Sequence, residues 1–561
     1  MTLASLRSFR LLPALALLAC GGESRVADDA TGENGGTMIA VVPAEPTTLL
    51  PPLVSSVQGG AVVAALFERL AEIGPALETY GDGGFTPRLA TSWRWATDSM
   101  SIAFAIDPAA RWHDGVPVRA ADVRFTYRAY TSDSVGAESR SLLGNIDSVS
   151  VRDSMTAVFW FKRRTPQQFY DATYHMWILP AHLLDTVPLS RLAESSFARQ
   201  PVGTGRFRFA RWDPGQRIEI VADTANARGR ARLDRVIWSI VPDFGAATVK
   251  LFAGEADFFE MIRPDNFAQV AQTPTLRLVD NHALTYNFLA LNYRDPQAPG
   301  QPHPILGEPS VRRALTMAVD RERLVRSVFD SLGVVALAPA PRALIPDTAA
   351  LRPLPFDPAA ARALLDSAGW RDSDGDGLRE RNGVPLAFDM LVPNSSASRQ
   401  RYAVLLQEQY RAVGVKATPL VLDVNALVAR IDSRTFDSYL GGWGTSPGLV
   451  GLRQTWASTG TANTSAYASR AFDALLDSAL TTFDATRSRG YWARVFQQAI
   501  DDAAAVWLYE QRTPVAIHRR FIVPPLRADG WWANLADWRT DPAQRLDRDR
   551  IGLGTPDGGA R

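Results

Sequence analysis

A single cysteine, Cys20, is all the thiol this sequence offers, so no internal disulfide can hold the chain together. Lysine is nearly absent: Lys162, Lys250 and Lys416 are the full supply, and arginine carries the remaining positive charge. Acidic and basic residues balance to a formal net charge of +1, which leaves no global field to draw nucleic acid or an anionic membrane surface. Neither an HExxH pair, a Cys/His cluster nor a P-loop is present, and the six histidines (113, 175, 182, 282, 303 and 518) are scattered without metal-ligand spacing. Paired carboxylates occur, but among 59 acidic residues a pair carries little information. These absences argue against an enzyme, a nucleic-acid binder and a disulfide scaffold. What remains is a composition of 46% hydrophobic and 21% charged residues, ordinary for a folded chain, over a length of 561 residues. That length allows roughly three or four domain-sized units. Fifteen Trp and 25 Phe supply a core and leave enough aromatics for a lined cleft.

The place of Cys20 is informative. Arg7 and Arg10 precede LLPALALLA at 11–19, an apolar run too short for the roughly 20 residues a membrane span needs. A basic start, a short apolar run and small residues read as a secretory signal over 1–19. LLAC, ending at Cys20, resembles the bacterial lipobox, which implies cleavage before Cys20 and lipidation of that thiol. Residues 20–36 are polar and glycine-rich, a flexible tether. Beyond it the pattern turns globular. A buried strand is expected at 37–42 and a helix at 62–73. Strand pairs are expected at 148–161, turning at Asp153 and Ser154, and at 205–223, turning at Asp213-Pro214-Gly215. The second half is richer in helix, with one long helix stopping near Gly333 and shorter ones ending at Gly369 and Gly414. Strands alternating with helices predict α/β layers.

The loudest local signal is WRDSDGDGLRE at 370–380. Asp372, Asp374, Asp376 and Gly377 occupy positions one, three, five and six of a calcium loop, but position twelve is Gly383 rather than the closing glutamate. Two readings stay open: a turn in which aspartates bond their own backbone, and a structural calcium site. Both are scaffold, and no cofactor is expected at a working site.

From Phe85 onward a series of blocks resembles one family. Pro87-Arg88-Leu89-Ala90-Thr91-Ser92-Trp93 is followed by Trp112-His113-Asp114-Gly115 and Ala121-Asp122-Val123. Then come PVGTGRFRF from 201, LFAGEADFF from 251, YNFLALNY from 286, VRRALTMAVDRERLV from 311 and the aspartate loop after Gly369. Together they resemble the bacterial extracellular solute-binding proteins of family 5, the oligopeptide, dipeptide and nickel receptors of ABC importers. His113, inside this signature, reads as a structural turn histidine.

The resemblance implies an α/β, two-lobed binding-protein fold with a hinged cleft. Lobe I would take 37–285, with an extra β-rich subdomain at about 71–200. Lobe II would take 286–511, the chain would return to lobe I over 512–545, and 546–561 would be a tail. It also implies a monomeric, non-enzymatic receptor held by its lipid at the periplasm or the outer face of the cell membrane. Such a receptor passes a peptide or small organic solute to a permease and its ATPase. The alternatives are a nickel or metallophore receptor, and a sensor or adhesin that kept the fold. Family positions of ligand contact fall here on Ser55, Ser56 and Gln58, on Phe356, on Trp443 with Thr445 and Ser446, and on Asn463 and Tyr467. One departure stands out. Where peptide receptors of this family carry an aspartate before proline to meet the ligand's amine, this chain has Ser446-Pro447. A buried ammonium without a carboxylate is unfavourable, so either another acid serves or the ligand has no free amine there.

Overall fold

The computed structural model describes residues 33–553. The signal segment, Cys20, most of the tether and the end of the tail lie outside the described residues. Two large sheets organise the chain. The first has seven strands in the order Leu276–Val279, Val515–His518, Phe258–Phe259, Thr37–Val42, Arg235–Ile240, Arg217–Ala222 and Phe207–Asp213. The second has six: Gly333–Val334, Ala505–Gln511, Thr285–Leu291, Ser438–Gly444, Ala387–Pro393 and Lys416–Leu422. A separate antiparallel sheet of four strands, Ala90–Trp95, Ser101–Ile106, Thr156–Phe161 and Ile146–Asp153, forms a subdomain on the first lobe. Helices cover the sheets, giving the α/β layers that the alternating pattern predicts. Each lobe has its own apolar core. That of lobe I runs to Leu284 and resumes at Val515; that of lobe II runs from Tyr286 to Tyr509. The chain therefore crosses between lobes twice, through adjacent strands of the lobe II sheet. Among the described residues no helix is long and apolar enough to cross a membrane.

The sequence motifs acquire physical roles here. His113 accepts from the Gly203 N–H at 3.1 Å through Nδ1, and its Nε2 lies 2.9 Å from the Gly205 carbonyl. Burial holds this imidazole below its ordinary pKa. A neutral ring protonated at Nε2 satisfies both contacts. Asp122 receives the N–H groups of Arg119 at 2.7 Å and Ala181 at 2.8 Å, fixing the start of helix Ala120–Thr131. In PVGTG, Thr204 and Gly205 donate to the Leu66 carbonyl at 3.0 and 2.8 Å. A Cβ on Gly203 would lie 1.9 Å from that same oxygen, so nothing larger than glycine fits.

That contact also explains a difference from expectation. The pattern predicts a helix at 62–73, whereas the helix spans Val57–Leu66 and Ala71–Ile73 is a strand. The PVGTG turn takes the terminal carbonyl and stops the helix with Phe67 extended. The single long helix expected before Gly333 is two, Pro309–Met317 and Arg321–Phe329. Asp320 breaks it by accepting the Arg323 N–H at 2.9 Å as the cap of the second. The remaining expectations match more closely. Asp357 caps helix Pro358–Ser367, and the hairpin turning at Gly215 joins Phe207–Asp213 to Arg217–Ala222.

Lobe I is closed by a buried ionic cluster. Asp257, of the LFAGEADFF block, receives the Ile39 N–H at 2.9 Å and pairs with Arg520 and with Arg548, the latter at 2.5 Å. Arg520 also reaches Asp549 at 3.1 Å, and Asp549 accepts the Thr37 N–H at 2.9 Å. Asp257, Arg520 and Asp549 are all essentially without solvent exposure. Removing one member of such a cluster leaves an uncompensated buried charge. Asp257→Ala is expected to lower stability by about 3–5 kcal/mol in urea denaturation; a loss below about 1 kcal/mol would show that the cluster is not holding the lobe closed.

Candidate functional site

The strand Ser438–Gly444 carries the sequence SYLGGWG to the edge of the cleft. Two of its glycines are dictated by neighbours: a Cβ on Gly442 would lie 2.5 Å from Asn287 Oδ1, and one on Gly441 2.4 Å from the Tyr439 ring. The strand then runs into a loop at 445–450 and a short helix, Gly451–Trp456. Facing it is the four-stranded subdomain and its helix Gln168–Thr173. Between them lies a cavity of about 510 Å³. One wall is formed by Trp443, Thr445, Ser446 and Gln454 of lobe II, and the other by Asn145, Gln167, Tyr170, Asp171 and His175 of lobe I. Pro339, Pro341 and Leu344 close one end. A second cavity of about 380 Å³ adjoins it, sharing Gln167, Leu344, Gly448 and Leu449.

The lobes touch across this space. The Tyr80 hydroxyl donates to the Thr482 carbonyl, and the Arg164 guanidinium stacks 4.3 Å above Phe483. Leu344, from the lobe II segment, is part of the lobe I core. Thr445 donates to the Leu284 carbonyl through its N–H at 2.8 Å and its hydroxyl at 3.2 Å, so its side chain braces the crossing.

Polar groups on the lobe I wall are left without partners. The Tyr170 hydroxyl and Asn145 Oδ1 are buried with no hydrogen bond among the described residues. Burial pushes the Asp171 carboxyl up to about 8. It lowers His175 to about 3, helped by the positive charge of Arg69, so this imidazole is neutral. Arg69 itself stacks on Tyr174 and Trp177, at 4.2 and 3.7 Å, and pairs with Glu72 at 3.4 Å. The Tyr170 hydroxyl and Asn145 Oδ1 face the cavity with hydrogen-bonding capacity to spare.

The residues expected at the site divide. Trp443, Thr445 and Ser446 line the larger cavity. Ser55, Ser56 and Gln58 line neither cavity; Ser56 caps helix Val57–Leu66 by accepting the Gly59 N–H at 3.1 Å. Phe356 is half-exposed and also lies outside both. Asn463 and Tyr467 are buried structural groups. Asn463 bonds Ala457 and Tyr467 main-chain atoms, and the Tyr467 hydroxyl donates to Asp502 at 2.6 Å. Both side chains are engaged inside lobe II, and neither residue lines either cavity. The subdomain wall had no local signal beyond YDATYH at 170–175, an unusual run of aromatic and titratable residues. No histidine neighbours Trp443 in sequence, yet the fold brings His175 to the same cavity.

Residues 444–448 read Gly-Thr-Ser-Pro-Gly, the spacing of a hydrolase nucleophile elbow. Ser446 does not adopt the positive φ of that turn. Among the described residues neither Ser446 to His175 nor His175 to Asp171 is hydrogen-bonded, and a catalytic triad needs both links. In the aspartate loop, Asp372 accepts the Gly375 and Gly377 N–H groups at 2.7 and 3.1 Å, and Asp374 and Asp376 accept those of Asp376 and Leu378. Their carboxylates converge within 4.8 Å, on exposed residues.

Two lobes joined by two crossings around a cleft define a two-lobed solute-binding fold. The chain belongs to the bacterial extracellular solute-binding proteins, family 5, whose middle-region model matches residues 84–463. It is 27% identical over 446 residues to the oligopeptide-binding protein AppA of Bacillus subtilis, covering 76% of this chain and 79% of that one. The structure of AppA with a nonapeptide superposes with a TM-score of 0.72 at 24% identity, over 91% of this chain and 99% of the other. The substrate-binding protein CtaP of Listeria monocytogenes superposes with a TM-score of 0.79 at 21% identity, over 91% and 100%.

Glu510 links the hinge to the cavity wall. It lies on the crossing strand Ala505–Gln511 and accepts the Arg342 N–H through both oxygens, at 3.0 and 3.1 Å. Burial raises its carboxyl from the ordinary 4.5 to about 7. The folded state thus holds this proton more tightly than the unfolded chain does. The associated stability is full below about pH 4.5 and is lost as pH rises through about 7. Glu510→Gln is expected to flatten the stability–pH curve across that window in urea titrations; an unchanged slope would assign the pH dependence elsewhere.

Proposed function

We propose that this chain is the extracytoplasmic receptor of an ABC importer, lipidated at Cys20, which takes a peptide or related small organic solute and presents it to a permease with its ATPase. The observation that carries this reading is the inter-lobe cavity, with Trp443 and Ser446 on one wall and unpartnered polar groups on the other. A ligand touching both walls favours the closed arrangement, because only there are both sets of contacts made. AppA, a relative over most of the chain, is named for oligopeptide binding and has been solved with a nonapeptide. One observation stands beside a second reading, a metal chelate: an imidazole, His175, lines the cavity. At the aspartate loop we propose a self-bonded turn, because its carboxylates already cap the turn's own N–H groups.

Native mass spectrometry of protein lacking residues 1–36, followed by release of whatever is bound, tests the ligand class. Short peptides are expected; a released metal chelate would favour the second reading, and a single non-peptide organic solute would replace both. With a peptide in hand, Trp443→Ala is expected to weaken binding by about 10- to 100-fold in calorimetry, with an unchanged fold by circular dichroism. Calcium and EDTA are expected to leave the melting temperature unchanged; a rise with calcium would turn the aspartate loop into a metal site.

A further inference from the structure

Asp171 is the one carboxylate among the residues lining the larger cavity. It lies on helix Gln168–Thr173, whose turn uses its main-chain N–H, donated to the Gln167 carbonyl at 2.8 Å. Its carboxylate makes no hydrogen bond and no ion pair among the described residues, and the one charge that acts on it is Arg163, which is itself exposed to solvent. Among the described residues, Arg163 shares the cavity wall with it and the arginines beyond are engaged elsewhere. Arg453, on the opposite wall, is paired with Asp477 at 2.5 Å. Arg69 is held by two aromatic faces and Glu72. His175, four residues on, is neutral. The neighbouring hydroxyl of Tyr170 is also unpartnered.

A part-buried carboxylate on a cavity wall with no protein partner gains nothing for the fold from its charge. Such positions are characteristic of sites where binding rather than folding sets the residue. We infer that Asp171 is the docking point for a positively charged group on the bound ligand, an ammonium or guanidinium. This rests on the peptide-class reading above. It places the acid on lobe I, opposite Ser446, so that a cation held there draws the two walls together. In the empty protein burial favours the protonated form of this carboxyl. Docking converts the neutral carboxylic acid of Asp171 and the ligand's cation into a carboxylate–cation ion pair, and one proton leaves the carboxyl for solvent.

The test compares wild type with Asp171→Asn by calorimetry against three synthetic peptide pools: free N-termini without Lys or Arg, the same pool N-acetylated, and an N-acetylated pool containing Lys. Asp171→Asn is expected to lose at least about tenfold in affinity for the charged pool that wild type prefers and to bind the neutral pool as wild type does. The empty variant is expected to melt at or above the wild-type temperature, which a structural role for the carboxylate would not allow. Preference for the first pool assigns the site to an α-ammonium, whose affinity climbs with pH toward about 8 and then falls as the amine loses its own proton. Preference for the third assigns it to a basic side chain, whose affinity climbs and then levels above about 8. Equal loss in the neutral pool, or no loss in any, overturns the assignment while leaving wild-type peptide binding intact. Wild type binding none of the three pools overturns the peptide reading and this assignment together.

Discussion

Arg520 directs its donors inside the protein, to Asp257, to Asp549 and, at 3.0 Å, to the Thr37 carbonyl, with its guanidinium also packed on Phe521. An arginine with no solvent exposure is tolerable only when its charge is matched and its hydrogen bonds are all made. That condition reaches across the chain. It ties the first strand of lobe I, the LFAGEADFF segment and the C-terminal residues into one desolvated knot. The knot fixes the middle of the seven-stranded sheet, and the subdomain and both crossings hang from that sheet. The cleft is thus positioned by electrostatics some distance from any ligand contact.

Between the lobes the physics is different. Each has a separate apolar core, and the contacts across the cleft are few and mixed: a tyrosine hydroxyl on a carbonyl, an arginine on a phenyl ring, and Leu344 and Leu449 at the margin. Two solid bodies joined through two adjacent strands move against each other more easily than either deforms, because packed interiors resist shear while a pair of crossings absorbs rotation. Thr445 and Glu510 sit where crossing and cavity wall meet, and each has its side chain committed to main-chain groups there.

The fold was legible wherever a motif states a local rule. Asp357 before Pro358 announces a helix start, and Asp213-Pro214-Gly215 announces a hairpin. It was less legible where the deciding group is distant: the helix beginning at Val57 ends at Leu66 because residues 203–205 take its last carbonyl, and no helical periodicity reports that. The site divides the same way. Trp443 to Ser446 follows a strand signature and lines the cavity. Ser56, Asn463 and Tyr467 have the right chemistry at matching positions, but their polar atoms are consumed by a helix cap, a loop and an aspartate. Asp171 and His175 come from the opposite lobe, and only tertiary structure sets them facing Trp443. In SYLGGWG, Gly441 and Gly442 are clearance for Tyr439 and Asn287, which no local pattern reports.

The order of strands in the seven-stranded sheet has a consequence for biogenesis. Val515–His518 lies between Leu276–Val279 and Phe258–Phe259, yet it is made only after all of lobe II. During synthesis or translocation the N-terminal half therefore waits with a slot in its sheet and two unpaired strand edges flanking it, the kind of surface that invites pairing with other chains. Arg520, which locks the sheet, follows that strand by two positions. Lobe II, whose strands are all contiguous in the chain between 285 and 511, can complete itself first. Assembly is then inside-out: the inserted lobe finishes early, the enclosing lobe seals last, and a nascent chain interrupted before residue 515 is left with an open sheet and no way to close it.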